Sequence, residues 1–305
     1  MDNLLSKCTN DPMQKKRIIR YSIIVGVSLA VLIIIIIIVV AAKGGDDSKS
    51  NSSSENDSGS EEISDSCPEI KYISSSFSGS GFASRYWDCC KPSCSWKENS
   101  PEIQARQCDK NMNLITDASS KSMCEGGPAT TCLSQIPFTI NGCDNIGFAF
   151  AACPTTNACG RCALLEFTGE GKYETRENHK KLKGKKLIVM ASNIGYDVNE
   201  KQFDIMIPGG GVGAFNGCAN ILGTNLGKQY GGFLSDCEDE VGWNDESAIY
   251  SKRKECLINK CNSIFSNNYS AKEGCLFLAN FLEAAGNPLH TFKEIECPQV
   301  LKDRY

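Results

Sequence analysis

The sequence predicts a single mainly β domain with a few helices, cross-linked by disulfides and located outside the cytosol. Three observations indicate this. Seventeen of the 18 cysteines follow residue 60, a charge-free apolar run precedes them, and short strand-like runs alternate with glycine-bearing loops. The first 80 residues differ in composition from the rest, so we expect the globular domain at residues 81–305. Such a length, about 220 residues, is enough for a sizeable core.

The apolar run from Tyr21 to Ala42 predicts a membrane-spanning helix. Its 22 residues include six consecutive isoleucines and no charge, and they are long enough to cross a hydrocarbon core of about 30 Å. Basic side chains precede the run and acidic ones follow it, so residues 1–20 are expected to be a basic cytosolic tail. This organisation is that of a single-pass type II membrane protein with a lumenal or extracellular domain. The alternative is that this segment is a cleaved signal peptide and that the domain is secreted.

Residues 43–80 are rich in Ser, Gly, Asn and acidic residues, which predicts a disordered stalk between membrane and domain. Asn51 and Asn56 lie in N-x-S sequons of this stalk, and Asn268 begins a third sequon in the domain. An odd number of cysteines outside the cytosol leaves at least one without an intramolecular partner. Cys67 is our candidate, either unpaired or bridged to another chain, in a protein otherwise expected to be a monomer.

Composition excludes several classes of function. The net charge of −4 and the absence of a long basic run in the domain argue against a nucleic-acid partner. Two histidines give little basis for Ser-His-Asp catalysis. Cys159 and Cys162 form a CxxC pair, for which a zinc or redox site is the alternative, but disulfides are the default outside the cytosol. The glycine run at 209–214 lacks a βαβ context, so we expect a tight loop lining a groove. No metal or cofactor is expected.

Periodicity and capping signals predict the main elements of the domain. Helix 244–265 begins at an Asn-Asp cap, and helix 270–285 begins with a Ser-x-x-Glu capping box and stops at Gly-Asn-Pro. Strand-like patterns occur in three segments: Cys162–Phe167, Lys186–Ala191 and Gln202–Ile207.

One stretch, Ala83–Trp96, concentrates chemistry around a single carboxylate, that of Asp88. It contains two tryptophans, a tyrosine and three cysteines in fourteen residues. Cysteines at this spacing can hold a loop rigid. Sugar rings stack on aromatic faces while their oxygens need carboxylates, so the composition indicates a carbohydrate site. The alternative is that Asp88 is a turn residue and the tryptophans belong to the core.

A second carboxylate, Asp204, lies on a predicted strand. Side chains alternate between the two faces of a strand, so Phe203, Ile205 and Ile207 share the core face while Asp204 and Met206 share the other. Partial desolvation beside Met206 is expected to raise the pKa of Asp204 and keep it protonated, as a general acid requires. A solvated surface aspartate is the alternative.

These stretches resemble glycoside hydrolase family 45, the small endoglucanases that cleave β-1,4-glucan with inversion. The resemblance covers about residues 82–300 and rests on four blocks in the family's order: Ser84–Trp96, Phe203–Cys218, Tyr230-Gly231-Gly232 and Glu296-Cys297-Pro298. It implies a six-stranded double-psi β-barrel crossed by an open substrate groove. It also implies hydrolysis of cellulose or a related β-1,4-glucan, with no cofactor.

The resemblance assigns roles to individual residues. It implies Asp88 as the general base, Asp204 as the general acid and Asp197 as an assisting third acid on a mobile loop. It implies sugar contacts for Tyr86 and Trp96, and it places Lys91, a further expected substrate-binding residue, near the base. Expansin-like proteins share the barrel without hydrolysis and are the alternative. They lack the base, so the presence of Asp88 favours an enzyme.

The resemblance also implies a disulfide pattern and shows two departures. Gln202 stands where the family often has His, which puts a proton-sharing role there in doubt, and the helix at 244–265 looks like an insertion. The implied bridges are Cys89–Cys218, Cys90–Cys124, Cys94–Cys159, Cys108–Cys132, Cys162–Cys297 and Cys237–Cys275. For the remaining cysteines we expect Cys143–Cys153 and Cys256–Cys261.

Overall fold

The computed structural model describes residues 67–153, 156–195, 197–198, 201–223, 226–242 and 246–305. They belong to one compact unit, Ile63–Tyr305. Within these ranges no helix has the length and apolarity needed to cross a membrane. The predicted membrane span at 21–42 and the sequons at Asn51 and Asn56 lie outside the described residues.

Six strands close into a ring. The ring order is β6-β8-β7-β10-β1-β9 and back to β6, with β1/β9 and β6/β8 parallel and the other four neighbours antiparallel. This is the expected disulfide-rich double-psi β-barrel. The ring strands are β1 (Ser78–Tyr86), β6 (Ile146–Cys153), β7 (Cys162–Gly171), β8 (Lys186–Ile194), β9 (Gln202–Met206) and β10 (Pro288–Ile295). The short strands are β2 (Gln107–Cys108), β3 (Leu114–Ile115), β4 (Thr130–Thr131) and β5 (Phe138–Thr139), of which β5 extends the ring at β6.

The barrel core explains why these segments form strands. β6 and β8 are almost continuously apolar and buried, as expected for strands covered on both faces. β9 alternates, with Phe203 and Ile205 buried and Asp204 partly exposed between them. Met206 is buried as well, so the face that carries Asp204 becomes apolar within two residues of it.

Six helices and several 3-10 turns lie among the described residues outside the barrel. Helix α4 follows the predicted segment, whereas α5 starts one residue earlier and ends five residues sooner than predicted. The cap is also different, because Asn268 accepts the Ala271 N–H at 3.0 Å, so the N-cap lies before the Ser270 box. The helices are α1 (Glu177–Lys181), α2 (Ala219–Leu222), α3 (Gly232–Val241), α4 (Glu246–Ile264), α5 (Tyr269–Asn280) and α6 (Gln299–Lys302).

Eight disulfides join the described residues. Five are those the family pattern implies: Cys89–Cys218, Cys90–Cys124, Cys94–Cys159, Cys108–Cys132 and Cys162–Cys297. Because Cys159 and Cys162 bond to different partners, neither is available for a CxxC redox site or a zinc site.

The expected Cys237–Cys275 and Cys256–Cys261 bridges are wrong. Cys237 of α3 bonds to Cys256 of α4, and Cys261 of α4 bonds to Cys275 of α5. At 3.6 residues per turn, residues five apart lie about 140° apart around a helix, so the two cysteines of α4 face different neighbours. Helix α4 is therefore bonded to both Cys237 and Cys275, which were expected to pair with each other.

The expected Cys143–Cys153 bridge is also wrong. Strand β6 ends at Cys153 and begins three residues after Cys143, and an eight-residue strand spans about 25 Å, so the two thiols cannot meet. Cys143 instead bonds to Cys67, with Cα atoms 5.2 Å apart. Cys67 is therefore not the unpaired cysteine or an intermolecular bridge. Among the residues that the structure describes, the free thiol is Cys153, which is buried.

The folded domain also starts before the predicted boundary at residue 81. In addition to the disulfide at Cys67, the backbone of Tyr72 forms an isolated antiparallel β-bridge with Ile295, the last residue of β10. Strand β1 itself begins at Ser78. Phe77 packs edge-on against Phe203 and Phe292. The part of the predicted stalk from Cys67 onward is thus attached to the barrel.

Candidate active site

A groove of about 530 Å³ crosses one face of the barrel. Strand ends, the cysteine-rich loop after β1 and the glycine loop after β9 provide its walls. It is lined by all six residues predicted to carry function: Tyr86, Asp88, Lys91, Trp96, Asp197 and Asp204. Neither His179 nor His290 is among the lining residues, and His290 is buried among aromatic rings in the barrel.

Asp88 lies two residues beyond the end of β1, on a backbone fixed by disulfides. Cys89 has a left-handed φ of 57°, an unfavourable conformation for a residue with a side chain, and it is held by its bond to Cys218. The Asp88 carboxylate accepts the Cys90 N–H at 2.9 Å. Burial raises the pKa of Asp88 to about 6, against the lowering effect of that hydrogen bond, and the charge of Asp197 raises it further.

Asp204 lies on β9 between two partner strands. It is in register with Ser84 of β1 on one side and Ala152 of β6 on the other. Its Oδ1 accepts the Ser84 hydroxyl at 2.7 Å, and the Gln202 amide donates to the same hydroxyl oxygen at 2.6 Å.

Burial raises the pKa of Asp204 to about 7. The Ser84 hydrogen bond opposes this shift, and the charges of Asp197 and Asp88 add to it. Arg85, which donates to the carbonyl of Gly231, lowers the pKa of Asp204. Desolvation is thus the principal reason why this carboxyl differs from a surface aspartate.

Asp197 is the exposed member of the three acids. It lies at the groove between β8 and β9, and its charge raises the pKa of both Asp88 and Asp204. Three carboxylates therefore converge on one groove, which disfavours simultaneous ionisation of all of them.

Two aromatic side chains, those of Tyr86 and Trp96, line the same groove as Asp88. The Tyr86 hydroxyl accepts a hydrogen bond from Asn193 at 3.1 Å, and burial raises the pKa of the phenol well above 10. Trp96 is half-buried, and the ammonium of Lys91 lies 3.2 Å from its ring centroid. Lys91 itself is 5% exposed.

The groove lining also contains an aromatic residue that was not singled out from the sequence. Phe215 lines the groove with 62% of its surface exposed. The glycine loop before it passes close to neighbouring backbone: a side chain at Gly232 would meet the Gly209 carbonyl at 1.9 Å. The signal in the sequence was an aromatic residue two positions after the last glycine of the run.

Ser84 and Asn193 are polar partners that were not predicted from the sequence. Ser84 donates to Asp204 and Asn193 donates to Tyr86, each from another strand, and Gln202 reaches Asp204 only through the Ser84 hydroxyl. Of these three polar residues, Asn193 is among those that line the groove with the acids.

Comparison with known proteins identifies the family. The model of glycosyl hydrolase family 45 matches residues 80–242, which include both acids and the glycine loop. The chain belongs to this family. The match ends at residue 242, before α4 begins at Glu246.

The chain is similar to endoglucanases from bacteria, fungi and animals. Endoglucanase B of Cellvibrio japonicus is 41% identical over 232 residues, which is 73% of this chain and 44% of that protein. An endoglucanase of Cryptopygus antarcticus is 34% identical over 236 residues, 74% of this chain and 88% of that protein. The crystal structure of a cellulase from this Antarctic springtail superposes with a TM-score of 0.56 at 34% identity, covering 74% of this chain and 95% of that one. The chain spans less than half of the bacterial relative and most of the springtail one.

Proposed function

We propose that this family 45 protein is an inverting endo-β-1,4-glucanase that hydrolyses cellulose or a related β-glucan. The observation that carries the proposal is the pair of carboxyls, Asp88 and Asp204, which face one groove with different environments. With pKa values of about 6 and about 7, the pair favours an ionised Asp88 and a protonated Asp204 between those pH values.

The proposed reaction uses each carboxyl once. Asp88 removes a proton from a water that attacks the anomeric carbon, while Asp204 gives its proton to the departing glycosidic oxygen. The carbon–oxygen bond breaks, Asp88 ends protonated and Asp204 ionised, and exchange with solvent resets both. Such a pair requires a separation of about 6.5–9.5 Å, which leaves room for the water.

Asp197 assists in this scheme through its charge. By raising the pKa of Asp204 it helps to keep the acid protonated near neutral pH. Tyr86, Trp96 and Phe215 supply apolar surface for pyranose faces, and the openness of the groove at the surface suits cleavage within a long chain.

The function is tested by incubating the protein with a soluble β-1,4-glucan and measuring new reducing ends together with solution viscosity. An endo-acting hydrolase lowers viscosity early, at a low yield of reducing ends. Binding of the glucan without any new reducing ends would support the expansin-like alternative and contradict the proposal.

Replacing Ser84 by Ala is expected to change the pH dependence of this activity. The Ser84 hydroxyl stabilises ionised Asp204, so its removal raises the pKa of the acid, and the alkaline limb of kcat/KM moves to higher pH. The acidic limb, set mainly by Asp88, stays near pH 6. Because the two limbs are close together, the apparent pKa values fitted to the pH profile belong to the Asp88–Asp204 pair and not to either carboxyl alone. We expect at most about a tenfold loss at the optimum; an unshifted alkaline limb would contradict the assignment of Asp204 as the acid.

We also propose that the domain acts outside the cytosol, tethered to a bilayer by residues 21–42. The eight disulfides of the described residues support an oxidising compartment. Glycosylation is proposed at Asn51, Asn56 and Asn268. Treatment with a glycosidase that removes N-linked glycans tests these sites by the change in mass of each Asn→Gln variant.

A further inference from the structure

Lys91 is a buried lysine at the edge of the groove, and its ammonium is fully engaged. Its Nζ donates to the carbonyl oxygens of Ala118 at 2.6 Å and Ser120 at 3.0 Å, and it lies 3.2 Å from the centroid of the Trp96 ring. An ammonium has three N–H groups, so two carbonyls and one aromatic face account for all of them.

The segment that supplies the two carbonyls is ordered by its own contacts. The Asp117 carboxylate accepts the N–H of Ser119 at 2.9 Å and its hydroxyl at 2.7 Å. The Asp117 carbonyl accepts the Gln107 amide at 2.6 Å. Lys91 thus binds to a preformed turn rather than shaping a loose loop.

Acidic side chains oppose the effect of burial on the pKa of this lysine. Burial lowers the pKa of Lys91, and the charges of Asp117, Glu98 and Glu125 oppose that shift. Among the described residues, no carboxylate oxygen lies within 4.0 Å of its Nζ, so the ammonium is not neutralised by an ion pair there. The electron-rich face of Trp96 is the side-chain group that it contacts most closely.

We propose that Lys91 is a positioning residue that holds the Trp96 indole against the groove wall, and that it does not itself contact the glucan. One face of the indole is covered by the ammonium, and the remaining exposed part of Trp96 lines the groove. The ring is therefore fixed in one orientation before substrate arrives, which reduces the entropy lost on binding. This inference rests on the proposed function, since it assigns Trp96 a pyranose ring to stack on.

The test compares full-length chains that carry Asp204→Asn to prevent turnover. Cellohexaose binding is measured by calorimetry in this background and in Lys91→Met, Lys91→Arg, Trp96→Ala and the Lys91→Met/Trp96→Ala double variant. Trp96 emission and its quenching by acrylamide are obtained by subtracting the signal of Trp96→Phe. Lys293→Met is the matched control, because that ammonium lies 5.7 Å from the Tyr72 ring outside the groove.

We expect Lys91→Met to weaken cellohexaose binding about tenfold and to increase acrylamide quenching of Trp96, with Lys91→Arg restoring most of both. The double variant should bind no more weakly than Trp96→Ala alone, because Lys91 acts through that ring. In an otherwise unchanged chain, KM should rise while kcat and the pH profile stay unchanged.

Three results would overturn the inference. They are unchanged Trp96 quenching in Lys91→Met, losses that add in the double variant, or a shifted pH profile that indicates action on the acids. If Lys91→Met does not fold, Lys91→Gln keeps an amide donor for the Ala118 carbonyl without the charge and is expected to show the same losses. A parent chain that fails to bind cellohexaose contradicts the proposed function, while the quenching comparison still decides whether Lys91 holds the ring.

Discussion

Asp204→Asn is expected to lower kcat on a β-1,4-glucan by roughly a thousandfold and to have little effect on a substrate with an activated leaving group. General acid catalysis contributes about 10²- to 10⁴-fold, and an amide cannot supply the proton. A dinitrophenyl cello-oligosaccharide releases a stable phenolate that needs no proton, so its kcat should fall less than about tenfold. The quantity to measure is the ratio of the loss in kcat on the glucan to the loss in kcat on the dinitrophenyl substrate.

Asp303→Asn is a matched control for this substitution. Asp303 is an exposed carboxylate in the last turn of the chain, hydrogen-bonded to Gln299 and absent from the groove lining. It should leave both rates unchanged. Equal losses on the two substrates for Asp204→Asn would show that Asp204 does not protonate the leaving oxygen.

Asp88→Asn is expected to lower kcat by about 10²- to 10⁴-fold on both substrates, because water must be activated whichever group leaves. The charge of Asp88 also raises the pKa of Asp204, so its removal should move the alkaline limb of any residual activity to lower pH. Initial rates measured between pH 5 and 8 test both effects. The carboxylate geometry depends on the Cys89 backbone, so the unfolding temperature is compared with that of the parent.

An Asp88→Asn protein that hydrolyses glucan at near-parent rate would remove Asp88 from the reaction. A loss confined to the glucan would instead assign it to leaving-group protonation, with the roles of the two acids exchanged. The two variants together therefore distinguish the assignment proposed above from its reverse.

The parts of the site that could be predicted from the sequence are those carried by local pattern. Asp88 lies in a cluster of cysteines and aromatic residues, and Asp204 lies on the polar face of an alternating strand. Each acid could therefore be predicted from a single stretch of sequence. Phe215 could also have been considered, because it follows the glycine run that was expected to line the groove, but its exposure is known only from the structure.

The contacts that tune these groups depend on strand register and could not be predicted. Ser84 reaches Asp204 because β1 and β9 are parallel and place the two residues opposite each other. The same hydroxyl accepts from Gln202, so a non-titrating amide stands where the resemblance indicates that the family often has a histidine. A sequence pattern identifies neither the pairing of strands nor their offset.

The disulfide errors have a comparable origin. Pairing Cys143 with Cys153 ignored the extended strand between them, and pairing Cys256 with Cys261 ignored their separation around one helix. The correct partners lie on neighbouring elements. Cys67 was wrongly predicted to lack an intramolecular partner because it follows an acidic, serine-rich segment whose composition is typical of a disordered stalk.

The stereochemistry of the first product tests the central claim most directly. If a water activated by Asp88 attacks opposite the bond that Asp204 protonates, hydrolysis of a β-linked cello-oligosaccharide must release the new reducing end as the α-anomer. Proton NMR within the first minutes, before mutarotation, detects the α anomeric signal ahead of the β signal. Early appearance of the β-anomer would contradict the inverting pair and require a covalent glycosyl-enzyme intermediate.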